Sequence, residues 1–536
     1  MMGMFGMTNL FRQLALWAAF AVAGANPAFA ATPCDALAKM RIPARAIALP
    51  SAGAVIDSAT VHTAEADIPE TCRVIGRIIA VGAGVPAIRF EVNLPPDWNG
   101  KALHFGGGGL DGTLVDGLRS MPGDGPVTHA PANPLARGFV TFGSDAGHQA
   151  SNPGDAAFGR IAQARANYAG EAVKRTHDAA IAVITRFYGS PPRRMYFAGG
   201  SKGGHEGLIA AQRYGADYDG VIAFYPAKDS VGLILGWGAL SQAAYGPGGG
   251  ALSAAKQQFL KTAVLNACDG LDGLKDGIIS DTAACAATIA PVSLHCASTT
   301  GIGAGTDTSA CLTDAEIRVL DLGLTRQSLP YPLANGVATI GPFPVMSGAA
   351  FAGIWLSPNG PDATAYGAFV NGVIRNFWTD DDTARFATLD LKTHRKTILA
   401  YSHESDATSV DLDRFAAHGG KLIVVQGTTD MLVPPSATTD YIVRLAAHYG
   451  RRMDGLARYF VQPGYGHGAG DFLMSWDSLG ALDTWVETGA FPGGQVATDG
   501  NPVTRDRQMP LCEYPAYPRY NGGDARLATS FSCDTR

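Results

Sequence analysis

Apolar and polar positions alternate along much of this chain in short runs closed by turn residues. Residues 87–95 (AIRFEVNLP) and 102–106 (ALHFG) predict two strands by that alternation. FVTFGSDAG (139–147) predicts a buried strand that ends in a loop. Helical apolar spacing runs through 164–189 and stops at Gly189, the residue type that most often ends a helix. A short strand follows at Arg194–Ala198 (RMYFA), then a helix-like run through Tyr214, then a buried strand at 221–227 (VIAFYPA). Toward the tail, Leu422–Gln426 and Ala457–Gln462 predict two more buried strands. Strands interleaved with helices point to an α/β protein.

Between the strand 194–198 and the helix after it sits Gly199-Gly200-Ser201-Lys202-Gly203, a G-x-S-x-G pattern. With 67 Gly in 536 residues the bare pattern carries little weight, and a serine in a glycine-rich turn is the plain alternative. The flanks decide. Strand, tight turn, Ser, Gly-Gly, helix, strand is the nucleophile elbow of an α/β-hydrolase. A strained backbone there aims the serine oxygen outward, and strand and helix pass so closely that side chains at Gly199 or Gly203 would clash. Ser201 is therefore the candidate nucleophile.

Such a serine needs a base, and the base needs an orienting carboxylate, in the order Ser, Asp or Glu, His. QGTTDMLVPP places Asp430 just past a strand, and QPGYGHGAGD places His467 in a glycine-rich loop past the next one. Asp471 is a rival to Asp430. His104 and His148 sit at strand ends, where a structural role competes with lining a pocket. His205-Glu206 begins like H-E-x-x-H, but position 209 is Ile, so the zinc motif fails. The positions of Lys202 and His205 beside Ser201 make both candidates for contacting a substrate carboxylate. Two oxyanion-hole amides are expected, from Lys202 after the nucleophile and from the Gly106–Gly109 run after the strand ALHF.

Composition narrows the class. Hydrophobic residues make up 46% and charged residues 16%, a globular balance, and a net charge of −6 without a basic patch argues against nucleic acid. Arg12, the apolar run Leu14–Ala25 and Ala28-Phe29-Ala30 have the three parts of an export signal, so residues 1–30 are expected to be removed. That run is too short to span a bilayer, and no other stretch approaches transmembrane length. Eight cysteines in the remaining chain (Cys34, Cys72, Cys268, Cys285, Cys296, Cys311, Cys512, Cys533) fit disulfides in a secreted or periplasmic protein. They cluster in neighbouring pairs, which suggests a pairing without fixing it. No C-x-x-C occurs.

The gap from Ser201 to Asp430 is far longer than a hydrolase core needs. Residues 228–407 are expected to be a lid domain inserted between the hydrolase segments 31–227 and 408–536. Its aromatics, Trp237, Tyr245, Phe343, Phe351, Trp355, Tyr366, Phe369, Phe377 and Trp378, either line a pocket for an aromatic group or form the lid's own core. Within it, CDGLDGLKDGIISDTAAC sets Asp269, Asp272 and Asp276 among Gly turns, a pattern that suits either Ca²⁺ or plain Asp-Gly turns. It is not an EF-hand.

Four separated motifs resemble the tannase/feruloyl esterase family: GGSKGGHEGLIAAQRYGADYDGVIAFYPA, CDGLDGLKDGIISDTAAC, QGTTDMLVPP and QPGYGHGAGD. The resemblance extends from Cys34 to the closing FSC. It implies an α/β-hydrolase fold with a large inserted lid, a Ser201–Asp430–His467 triad, and oxyanion amides from Gly109 and Lys202. It also implies a structural Ca²⁺ held by Asp269, Asp272 and Asp276 with the carbonyls of Leu274 and Ile278, and no organic cofactor. The pairs Cys34–Cys72, Cys268–Cys285, Cys296–Cys311 and Cys512–Cys533 would match the family's framework. One departure stands out. The family carries a disulfide between the residue before the nucleophile and the residue after the histidine; here those are Gly200 and Gly468. A covalent tie is thus missing, and the triad is expected to be less preorganised unless packing compensates, and insensitive to reductant.

The resulting expectation is a secreted serine carboxylic ester hydrolase acting through an acyl-enzyme. The resemblance implies small aromatic esters: gallate, hydroxycinnamate, and terephthalate or phthalate monoesters. Two other readings are a non-catalytic ligand-binding protein on a hydrolase scaffold and a serine peptidase; a peptidase of this length usually carries a propeller, and no blade-length repeat is visible.

Overall fold

The structure, a computed structural model, describes residues 32–118, 120–122, 125–152, 154–296 and 308–535. The expected export signal, residues 1–30, lies outside them.

Ten strands form the main sheet: β1 (Arg41–Ile42), β2 (Ala54–His62), β3 (Thr71–Ile78), β4 (Ile88–Leu94), β5 (Lys101–Phe105), β6 (Val140–Ser144), β7 (Arg194–Gly200), β8 (Gly220–Phe224), β9 (Lys421–Gly427) and β10 (Ala457–Gln462). Their spatial order is β1-β2-β3-β4-β6-β5-β7-β8-β9-β10. β4 runs antiparallel to β3 and β6, whereas β6, β5, β7, β8, β9 and β10 are mutually parallel. This is the α/β-hydrolase arrangement, extended by an antiparallel N-terminal edge.

The central strands are buried on both faces, which explains why VIAF and LIVV are continuously apolar. Period two still sorts them. Val221, Ala223, Leu422 and Val424 belong to one core with helices α1 (Ala172–Tyr188) and α2 (Lys202–Arg213). Ile222, Phe224, Ile423 and Val425 belong to the core on the other face. A third core is built between β8 and β9, around helices α3 (Ser230–Tyr245) and α4 (Ala365–Val373). Met431 and Val433, just past β9, pack into it, so this layer sits over the strand ends. That edge is where ligands bind in open parallel sheets. The four disulfides are Cys34–Cys72, Cys268–Cys285, Cys296–Cys311 and Cys512–Cys533.

Two elements differ from the sequence reading. The helix over 164–189 is not continuous: a wide turn at Asn167–Glu171 holds Gly170 at φ 130°, where a Cβ would lie 2.6 Å from Ile209 of α2. Glycine lets the two helices pass, and helical periodicity does not register the break. The strand over 221–227 stops at Phe224, because Tyr225 turns to φ 34°. No described helix is long and apolar enough to cross a membrane.

Candidate active site

Ser201 lies at the β7–α2 turn with φ 58° and ψ −118°, a conformation that costs a non-glycine residue about 1–3 kcal/mol. Its N–H donates to Phe224 O and its carbonyl accepts from Ala227 N, both at 3.0 Å. The close approach is literal. A Cβ on Gly199 would lie 2.3 Å from the Gly203 carbonyl carbon, and one on Gly203 would lie 2.7 Å from Gly107 O.

Asp430 follows β9 and is fully buried. Its Oδ1 accepts from Leu432 N and Val433 N at 2.9 Å each, and its Oδ2 accepts from Gln426 Nε2 at 3.2 Å. His467 Nδ1 lies 2.9 Å from the same Oδ2. An ionised carboxylate only accepts, so Nδ1 carries the proton and Nε2 is left as the base. The two loops are laced together, since Thr429 N donates to Tyr465 O and Gly464 N donates to Thr428 Oγ1, each at 3.0 Å. Asp471, the rival acid, instead pairs with Lys261 at 2.8 Å.

Gly109 and Lys202 line the same cavity as Ser201 and His467. The neighbouring amides are already engaged: Gly106 N donates to Ala198 O, Gly203 N to Gly107 O, and Gly107 N to the Glu206 carboxylate. Among the described residues the Gly109 and Lys202 amides have no acceptor. That leaves them for a developing oxyanion.

Beneath this loop lies a charged cluster that the sequence reading missed. Lys202 Nζ donates to Tyr168 O at 2.6 Å and lies 3.0 Å from His205 Nδ1, 3.6 Å from Glu206 and 4.0 Å from Asp111. His205 is fully buried with Nε2 on Ser405 O at 2.6 Å. Burial, reinforced by Lys202, holds His205 well below its ordinary range. Both side chains are thus committed inward and away from a substrate carboxylate. Sequence spacing places Lys202 and Glu206 one helical turn apart, but nothing local announces Asp111 beside them.

His104 and His148 occupy structural positions. His104 is buried in β5, stacked on Phe142, with Nδ1 on Tyr218 Oη at 3.0 Å. His148 stacks on Phe158 with Nε2 on Leu110 O at 2.9 Å, and burial lowers it to about 4.

The cavity holds about 320 Å³ and is walled mainly by Leu233, Ile234, Trp237, Phe369, Val373 and Leu432. Of the nine aromatics in the insertion, Trp237 and Phe369 reach this wall. Trp237 also donates to Leu432 O at 3.0 Å, and Tyr366 Oη donates to Met431 O. The insertion therefore grips the segment that carries Asp430.

In the acidic loop, Asp269 Oδ1 accepts from Asp276 N and Gly277 N, Asp272 accepts from Leu274 N and Ser280 N, and Asp276 accepts from Ile278 N. Arg507 reaches Asp276 Oδ2 at 3.1 Å. Burial pushes Asp276 up to about 6; Arg507 opposes this, and repulsion from Asp272 and Asp269 adds to it. Among the described residues no three acidic, His or Cys side chains converge tightly enough to ligate one ion. Carboxylate oxygens are the hard donors that Ca²⁺ takes, and here they accept from backbone N–H groups and Arg507.

A family model for tannase and feruloyl esterase matches residues 72–534. The chain is 37% identical to an uncharacterized esterase of Agrobacterium fabrum, covering 95% of this chain and 94% of that one. It is 31% identical to the mono(2-hydroxyethyl) terephthalate hydrolase of Piscinibacter sakaiensis, covering 89% and 87%. The crystal structure of feruloyl esterase B from Aspergillus oryzae superimposes with a TM-score of 0.75 at 21% identity, over 93% of this chain and 100% of that one. An elbow serine, a carboxylate-held histidine and two unclaimed amides thus share one cavity in a carboxylic ester hydrolase that belongs to the tannase and feruloyl esterase family.

Proposed function

We propose that this chain is an exported serine esterase for esters of aromatic acids, working through Ser201, His467 and Asp430. The observation that carries the reading is the His467–Asp430 bond at 2.9 Å, set on the cavity that also receives the strained Ser201 turn. Ser201 Oγ attacks the ester carbonyl while His467 Nε2 takes its proton. Asp430 holds the imidazolium, and the oxyanion rests on the Gly109 and Lys202 amides. Collapse expels the alcohol, which takes the proton from His467, and leaves the acyl group on Ser201. Water then attacks the acyl carbon and gives its proton to His467, and collapse breaks the bond to Ser201 Oγ, which takes that proton back as the acid leaves. Ser201 Oγ hydrogen-bonds to none of the described residues, so the contact with Nε2 closes as substrate docks.

Trp237 and Phe369, with Tyr168, Tyr225 and Tyr401 on the same cavity, favour an aromatic acyl group. The inward commitment of Lys202 and His205 favours acids without a second carboxylate. The names of the relatives support ester chemistry on aromatic acids. Four disulfides and the N-terminal segment support export. The acidic loop would hold Ca²⁺ through Asp269, Asp272 and Asp276 with the Leu274 and Ile278 carbonyls, as a structural ion. Added Ca²⁺ is expected to raise the melting temperature of chelator-treated protein, and an unchanged melting temperature would remove the ion from the account.

The test is hydrolysis of p-nitrophenyl acetate, methyl ferulate, methyl gallate and a terephthalate monoester by the wild type beside Ser201→Ala. Turnover that vanishes in Ser201→Ala, with the neutral aromatic esters ahead of the terephthalate, is expected. Equal rates in the two proteins would sink the mechanism.

A further inference from the structure

The nucleophile turn and the histidine turn meet at one side chain. Tyr225 follows the last residue of β8 and takes φ 34°, which a bulky aromatic adopts only when its surroundings force it. Its N–H donates to Val425 O at 2.6 Å, which pins the backbone between β8 and β9. The ring then reaches between the two catalytic turns. Its centroid lies 4.5 Å from that of the His467 imidazole, with the planes tilted by 50°. On the serine side, a Cβ built on Gly200 would lie 2.8 Å from the Tyr225 hydroxyl oxygen and 2.9 Å from Cζ. On the histidine side, a Cβ built on Gly468 would lie 3.0 Å from the same oxygen. The residue before the nucleophile and the residue after the base therefore face each other across a single atom. Neither position admits a side chain while the ring is there.

The ring also separates two hollows. One is the catalytic cavity of about 320 Å³; the other, of about 340 Å³, is lined by Phe105–Gly108 and Leu114–Gly117. Gly200 and Tyr225 belong to both walls. Removing the ring would join the hollows and leave both turns facing solvent. Burial raises the phenol to about 12, so it stays protonated and is no rival to His467 as a base. Tyr465, two residues before His467, packs on its far side with centroids 5.9 Å apart.

We propose that Tyr225 is the positioning residue of this active site, a non-covalent tie whose ring holds the His467 imidazole and the Ser201 turn in register. The tie is packing rather than a bond between sulfur atoms, so it is indifferent to reductant. Gly200 and Gly468 are the space it requires. The proposal rests on the reading of His467 as the base.

The experiment compares Tyr225→Phe, Tyr225→Ala and the triple variant Tyr225→Ala/Gly200→Cys/Gly468→Cys with the wild type. kcat and KM for p-nitrophenyl acetate and the rate of Ser201 labelling by a fluorophosphonate are measured beside the melting temperature. Tyr225→Phe keeps the ring and is expected to stay within about threefold. Tyr225→Ala is expected to lose about 100-fold in kcat, the scale of a misplacement near 1 Å, with KM within about threefold. The oxidised triple variant, which places a covalent link in the vacated space, is expected to recover at least about tenfold and to lose it again on reduction. A kcat for Tyr225→Ala within about threefold of wild type, or a loss confined to KM, overturns the proposal. If Tyr225→Ala does not fold, Tyr225→Leu keeps most of the volume and reads the same split. If the wild type is as inert as Ser201→Ala, the esterase mechanism fails instead. NMR order of the His467 ring in the Tyr225 variants then still reads the tie, and an unchanged order overturns it.

Discussion

Asp430 and Asp111 are both buried within reach of the catalytic apparatus, and their surroundings put them to opposite uses. Asp430 receives two backbone N–H groups, the Gln426 amide and His467. It acts as a pure acceptor and fixes the imidazole. Neither Asp111 oxygen makes a hydrogen bond of ordinary geometry among the described residues, and only the Gly108 backbone and Lys202 favour its charge. Burial first, and Glu206 next, push it well above the usual carboxylate range, against the pull of Lys202. That setting favours the neutral form of Asp111 beside Glu206, which accepts from Gly107 N at 2.9 Å. One aspartate holds the His467 imidazole; the other lies beside Lys202 and Glu206. Burial alone does not decide the charge of a carboxyl group; the donors around it decide whether burial prevails.

The same substitution at both positions tests this most severely. Asp430→Asn offers His467 an N–H where a lone pair is needed, and the imidazole turns to the wrong tautomer. The expected loss in kcat is about 10³–10⁴-fold with the fold intact. A residual rate within about tenfold of wild type would mean that Asp430 is not the orienter, and the contrast would collapse. Asp111→Asn is expected to change kcat by less than about threefold, because an amide is uncharged, as the neutral acid is. A large loss there would show that Asp111 works as an anion.

The two aspartates also differ in how far the sequence revealed them. Asp430 stands out because the nucleophile order and the strand before it are local patterns, and the elbow glycines are forced by a close approach within one turn. Asp111 sits in the turn after the glycine run, where Leu110-Asp111-Gly112 reads as turn chemistry alone. Its partners, Lys202 and Glu206, arrive from α2 by long-range packing that no periodicity encodes. Tyr225 was hidden differently. An aromatic after VIAF continues a strand pattern, and alternation carries no trace of a backbone that turns to φ 34°. The sheet's parallel half was legible because doubly buried strands are continuous apolar runs. β2 and β3, on the antiparallel edge, mix buried with exposed positions and were not read.

The finest test of the comparison is the pH dependence of stability in Asp111→Asn. In the unfolded chain an aspartate titrates near 3.9. In the folded protein Asp111 holds its proton to much higher pH. Across that window the native state binds more protons than the unfolded state, so this group's contribution is complete at pH values below about 4 and is lost as pH rises toward the folded value. Asparagine has no such term. Of the nearby groups, burial lowers His148 to about 4 and holds His205 well below its ordinary range, while Asp145, raised by burial to about 6, is common to both proteins and cancels in the difference. The melting temperature of Asp111→Asn minus that of the wild type is therefore expected to rise with pH between 5 and 8. A difference that stays flat means that Asp111 has the same charge folded and unfolded. That is the result expected if Lys202 holds it ionised, and the two aspartates would then be one kind of site.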